Sequence, residues 1–168
     1  MTITLYAQPY DMDATGFYFK SAKEFAEKRD KLTNSFGDPV EEFEIQFIDG
    51  DDLDAALAEA IGINQASFDD YLTCAESWED YQKINVIIAV GEGGYTFDAQ
   101  RDPDHYGLDV YYADSLRDLA GQFVDEGLYG DIPEQLQYYI DYDAIARDLA
   151  VEYTETVIAG ERLIYRLS

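Results

Sequence analysis

Side chains that commonly perform catalysis or bind metals are scarce in this sequence. His105 and Cys74 are each the only residue of their type. A zinc ion would therefore take most of its ligands from carboxylates. His105, between Pro103 and Gly107, reads as an exposed loop residue, and Cys74 falls among helix positions, so nothing local supports a Cys-His nucleophilic pair. Two acidic loops bear comparison with the calcium-binding EF loop. DPDHYGLDVYYA (102–113) has Asp102, Asp104 and Gly107 at the first, third and sixth positions but Ala113 where the bidentate Glu belongs, and DGDDLDAALAEA (49–60) lacks the central glycine and also ends in Ala. VGEGGYT (90–96) carries Thr96 at the third glycine position of a dinucleotide fingerprint and reads as a turn or helix stop. These residues assign no catalytic, metal or cofactor site.

Carboxylates are the abundant group. The chain has 36 acids against 11 bases, a formal charge of -25. Residues 1–31 are neutral, with Asp11, Asp13, Glu24, Glu27 and Asp30 balanced by Lys20, Lys23, Lys28, Arg29 and Lys31, so the whole excess lies from Leu32 onward. So many carboxylates single out no acid-base pair. Their field repels nucleic acids and anionic membranes, which excludes direct nucleic-acid binding. Duplex DNA carries one charge per about 1.7 Å of axis, so the surplus equals the charge of roughly 12 to 15 base pairs. Three readings follow: a DNA mimic, an acidic salt-adapted protein whose 22 Asp and 14 Glu solvate its surface, or a carboxylate-dependent hydrolase. The amino terminus lacks a basic region followed by an apolar run. Val86–Val90 is too short to span a bilayer, and the lone Cys74 allows no internal disulfide. A cytoplasmic protein is expected.

Folded elements must hold these charges, and 47% hydrophobic residues with 15 Tyr and 9 Phe supply a core. Alternation predicts strands over 2–8, 16–20 and 43–47. Capping boxes are predicted at Ser21/Glu24, Ser67/Asp70 and Ser115/Asp118. INVIIAV (84–90) fits either a strand or a buried helix. Leu116, Leu119, Ala120, Phe123 and Val124 have helical spacing up to Gly127. Pro133 opens another helix whose Leu136, Tyr139 and Ile140 face a core, Asp141 caps a third, and VEYTETVIAGERLIYRL closes as a hairpin.

The stretch GDIPEQLQYYIDYDAIARDL (130–149) resembles the ArdA antirestriction family in its IP-x-x-L-x-x-YIDY-x-A-x-x-RDL pattern, matched by Ile132, Pro133, Leu136, Tyr139 to Tyr142, Ala144 and Arg147 to Leu149. ITLYAQPYD, EEFEIQFIDGDD and SLRDLAGQFVDEG resemble it too, so the similarity spans nearly the whole chain. GEGGYTFDAQRDPDHYG (91–107) departs from it, being longer and richer in glycine.

The resemblance implies a non-enzymatic protein of mobile genetic elements, a DNA mimic that occupies the DNA-binding groove of type I restriction-modification enzymes without a cofactor. The implied fold is α+β, an elongated chain of three small domains: a small antiparallel sheet plus helix (1–62), a mainly helical middle domain (63–106) and a C-terminal α+β domain (107–168) that forms a homodimer. The helical middle domain favours a helix for INVIIAV. The candidate mimic surface is Asp109, Asp114, Asp118, Asp125, Glu126, Asp131, Glu134, Asp141, Asp143 and Asp148, extended by Asp69, Asp70, Glu76, Glu79 and Asp80. Leu128 and Tyr129 are the candidate dimer contacts. Arg147 is expected to tie helices together through a carboxylate.

Overall fold

Alternation along β1 (Thr4–Pro9) drives Leu5 and Ala7 into a fully buried face. β1 is the centre of an antiparallel sheet, between β2 (Phe17–Phe19) and β3 (Phe43–Asp49). The computed structural model describes residues 2–168, and they divide into two compact units, one running to Tyr106 and the other from Gly107 to Ser168. In the first, Phe17, Phe19, Phe25, Phe43 and Phe68 pack ring against ring at centroid separations of 4.9 to 6.0 Å. Gly16 admits the chain to this sheet, because a Cβ there would lie 2.3 Å from the Ala7 carbonyl oxygen.

Helix α1 (Ala22–Lys31) starts where Ser21 Oγ accepts the Glu24 N–H at 3.1 Å. The Glu24 carboxylate answers through the Lys20 N–H, one residue before the position a reciprocal box would use. α2 (Asp52–Ile61) stops at Gly62, which takes the left-handed conformation with φ 66°. α3 (Phe68–Ser77) follows, but not through the expected cap: the Ser67 hydroxyl turns back to accept the Asn64 N–H, while Asn64 Oδ1 accepts the N–H groups of Ala66 and Ser67. An asparagine turn has displaced the Ser67/Asp70 box.

INVIIAV is helical. α4 (Asp80–Val86) runs directly into a π-helical turn, Ile87–Glu92, and Ile84, Val86, Ile87, Ile88 and Ala89 are all buried. A segment apolar on every side has no amphipathic period, which is why its pattern fitted either element. The turn ends where Gly93 N–H donates to Ile88 C=O. The glycine-rich segment after it is pinned by Arg101, whose guanidinium lies 5.0 Å from the Tyr95 ring and 4.3 Å from the Tyr106 ring and donates to the His105 carbonyl.

The second unit has an antiparallel sheet in the order β4 (Leu108–Tyr111), β6 (Glu161–Leu167), β5 (Thr154–Ile158). β5 and β6 form the expected hairpin around Ala159 and Gly160, at φ 51° and 80°. α5 (Leu116–Asp125) is capped as expected, Ser115 Oγ accepting the Asp118 N–H at 3.1 Å. Leu119 and Phe123 join Ala113, Tyr153 and Ile164 in the core, with Tyr111, Leu116 and Leu149 packed against it. α7 (Tyr142–Leu149) begins where Asp141 Oδ1 accepts the Ala144 N–H.

Between them, α6 is a single turn, Glu134–Gln137, with no buried residue. Leu136, Tyr139 and Ile140 therefore do not line a core: Leu136 is 53% and Tyr139 83% exposed, and Ile140 is half-buried. The spacing implied a buried stripe, but one turn is too short to present one. Leu136 and Tyr138 are both exposed, as are Leu128 and Tyr129.

Candidate functional site

Helix ends decide where the candidate carboxylates stand. Asp69 and Asp70 occupy the first turn of α3, Asp80 that of α4 beside Glu79, Asp118 that of α5, Glu134 that of α6 and Asp143 that of α7 behind the cap Asp141. An acid at an N-terminus faces the positive end of the helix dipole, so folding alone accounts for these. Asp125 and Glu126 are different. They close α5, whose last turn carries no base, and there a negative charge faces the negative end. Glu76 stands likewise in the last turn of α3, which also lacks a base, and Asp148 in the last turn of α7, where Arg147 stands beside it. Those four acids oppose the helices that carry them.

All the candidate acids are exposed except Asp109. Asp109 is half-buried and takes a two-pronged bond from Arg166, Nε at 3.0 Å and Nη2 at 2.5 Å, while Arg166 also donates to Glu152 and lies over the Tyr153 ring. The strand position that made Asp109 look like a surface acid also sets it opposite Arg166 in the β4/β6 register. Asp143 is bonded to Arg117 at 2.5 Å. Arg117 thus makes the inter-helix tie expected of Arg147, which forms no ion pair among the described residues. Asp114 and Asp118 line a cleft of about 560 Å³ together with Glu161 and Arg162.

Two further acids join the group on α4. Gln82 Nε2 donates to Asp104 Oδ2 at 3.4 Å, and Asp102 holds His105 Nδ1 at 3.0 Å. Desolvation and the carboxylates of Asp104, Glu79 and Asp102 push the Tyr81 phenol above its ordinary range, which reports a dense local negative field. Sequence reasoning missed Asp102 and Asp104 because their placement depends on the Arg101 stack.

Four of the six remaining cations are drawn inward or tied, while Arg147 and Arg162 are exposed. Beyond Lys31 the bases are Lys83, Arg101, Arg117, Arg147, Arg162 and Arg166. Lys83 is buried against Asp54, Arg101 is held between two rings, and Arg117 and Arg166 are bonded to carboxylates. Most of the carboxylates have no such partner and face solvent. Among the described residues no group of three or more His, Cys, Asp and Glu is arranged to hold a metal ion, and no helix is long and apolar enough to cross a membrane.

The model of one protein family, described as Antirestriction protein (ArdA), matches residues 11–161. A search of the curated proteins finds no match. The family match takes in every helix and all the candidate residues, leaving out β1 and all but the first residue of β6, and the chain belongs to the ArdA antirestriction family.

Proposed function

We propose that this ArdA-family chain is an antirestriction protein that works without catalysis, as an acidic DNA mimic competing for the DNA-binding groove of type I restriction-modification enzymes. The observation that carries the reading is the set of acids at helix C-termini: Glu76, Asp125, Glu126 and Asp148 weaken the helices they sit on. Departures from local folding rules concentrate at functional sites. A groove built for duplex DNA presents Lys and Arg to phosphates, and such contacts supply affinity without reading sequence. Surface carboxylates answer the same cations. No water needs activating and no bond breaks, so inhibition is stoichiometric.

We assign the dimer contact to the apolar surface around Leu128 and Tyr129, widened by Leu136, Tyr138 and Tyr139, all exposed in the single chain. Large apolar side chains gathered within twelve residues are the kind of surface that a second copy covers. Two chains would present about -50 charges, near those of some 25 base pairs. The three-part division, the cytoplasmic site of action and carriage on mobile elements belong to the same proposal.

The test is a displacement titration of a type I restriction enzyme on labelled DNA. Direct affinity for the enzyme is measured alongside at about 50 and 200 mM salt, with a folded acidic protein as control. Release of DNA at one dimer per groove, with affinity falling steeply as salt rises, is the expected result. DNA that stays bound while the chain folds only in concentrated salt would instead make the carboxylates a solvated, salt-adapted surface.

A further inference from the structure

Lys83 is the only lysine beyond Lys31, and it lies inside. Its Nζ is 2.7 Å from Asp54 Oδ1, with the two side chains 10% and 5% exposed. Asp54 belongs to α2 and Lys83 to α4. α3 joins them through Tyr71, fully buried, whose hydroxyl donates to the Asp54 carbonyl oxygen at 2.7 Å. Burial, with the Asp54 charge adding to it, pushes the Tyr71 phenol far up, so it remains a donor. Three helices thus meet at one residue, each with a polar group.

Such a pair contributes little net stability. Stripping water from two charges costs about what their attraction returns, and apolar replacements of similar size are often neutral or better. What it adds is direction. α2 otherwise packs on the π-helical turn through apolar and small residues, as where Gly91 faces Ala60 so closely that a Cβ would lie 3.2 Å from the Ala60 Cβ. Apolar contact is not directional and lets one helix slide on another. A short charge-assisted hydrogen bond holds its two atoms within a narrow range of distance, and breaking it would leave two buried charges unpaired. Beside the pair opens a cleft of about 470 Å³, lined in part by Leu72, Ala75 and Glu76 of α3, so packing on that side leaves room for a shift.

We infer that Asp54 and Lys83 are positioning residues: their buried pair locks α4 onto α2, whose Asp54 carbonyl holds Tyr71 of α3, and so fixes Glu79 and Asp80 of the α4 start relative to Asp69, Asp70 and Glu76 of α3. The consequence for inhibition rests on the mimic reading; the lock itself does not.

The test has two arms. Spin labels are attached through Glu59→Cys on α2 and Tyr81→Cys on α4, both exposed; the buried Cys74, its thiol pushed up to about 11, stays unlabelled. The distance distribution is measured in the otherwise unchanged chain and with Asp54→Leu and Lys83→Met together. A single narrow distribution in the first, broadened or split in the second while the chain stays folded, is expected. In the second arm, without labels, the double variant should need roughly fivefold more protein to displace DNA, as it would if about a fifth of the molecules kept the competent arrangement.

A broad distribution before the pair is altered overturns the lock, and so does an unchanged narrow one after. A double variant that fails to fold overturns it too, since the pair would then be carrying stability. If the unaltered chain displaces no DNA, the mimic reading fails while the distance arm still judges the lock. Unchanged displacement by a double variant with a broadened distribution removes its role in inhibition.

Discussion

At the scale of single residues, folding has spent its unusual groups on structure. The Tyr106 hydroxyl is buried with no hydrogen-bond partner among the described residues, while its ring is held beneath Arg101. A buried hydroxyl left unsatisfied costs about 1–3 kcal/mol, whereas the ring alone keeps the stacking. Tyr106→Phe should therefore stabilise the chain, by about 1 kcal/mol, in denaturant unfolding; a clear loss would reveal a partner for the hydroxyl. Cys74 is equally removed from chemistry. Burial first, and the Asp70 carboxylate second, push its thiol up to about 11. A thiol raised in this way has little thiolate at pH 8 and gains tenfold per pH unit up to its pKa. Alkylation of the folded chain at pH 8 should run at least roughly two-hundredfold slower than for a free cysteine, and denaturant should restore it. Rapid modification of the folded chain at pH 8 would refute that environment.

Elements were legible where the cause was local. The caps at Ser21, Ser115 and Asp141 could be read because each is a side chain bonding a backbone N–H three residues on. The α6 segment could not, because burial of Leu136 and Tyr139 depends on helix length and on what lies opposite. Nor could the Asp54–Lys83 pair, since a lone lysine in a helical pattern reads as surface. The acids themselves were visible at once, but which of them folding explains emerged only with the helix ends. The β5–β6 hairpin has a remaining weakness. Its two-residue turn holds both Ala159 and Gly160 at positive φ, as a type I′ turn requires, and alanine tolerates that region poorly. Ala159→Asn should raise stability by up to about 1 kcal/mol, read as a higher melting temperature with the β5–β6 pairing unchanged. A fall would mean that the turn does not persist in solution.

For the whole molecule, stability and inhibition should pull in opposite directions at the same residues. Asp125, Glu126 and Asp148 stand where the helix dipole opposes them, in a chain that already repels itself with a charge of -25. Replacing all three with Asn, Gln and Asn should raise the melting temperature on both counts. If they also answer cations in the enzyme's groove, affinity should fall step by step with each replacement. The slope of log affinity against log salt should shrink by about one per carboxylate removed, since each contact releases about one counterion. The comparison that separates surface from net charge is Asp13, Glu27 and Asp38, three exposed acids outside the proposed mimic surface. Neutralising those lowers the total charge equally and should leave affinity and salt slope nearly unchanged. Equal losses from both triplets would mean that bulk charge alone attracts the enzyme. A loss confined to the first, bought with added stability, is what a surface selected to resemble phosphates would show.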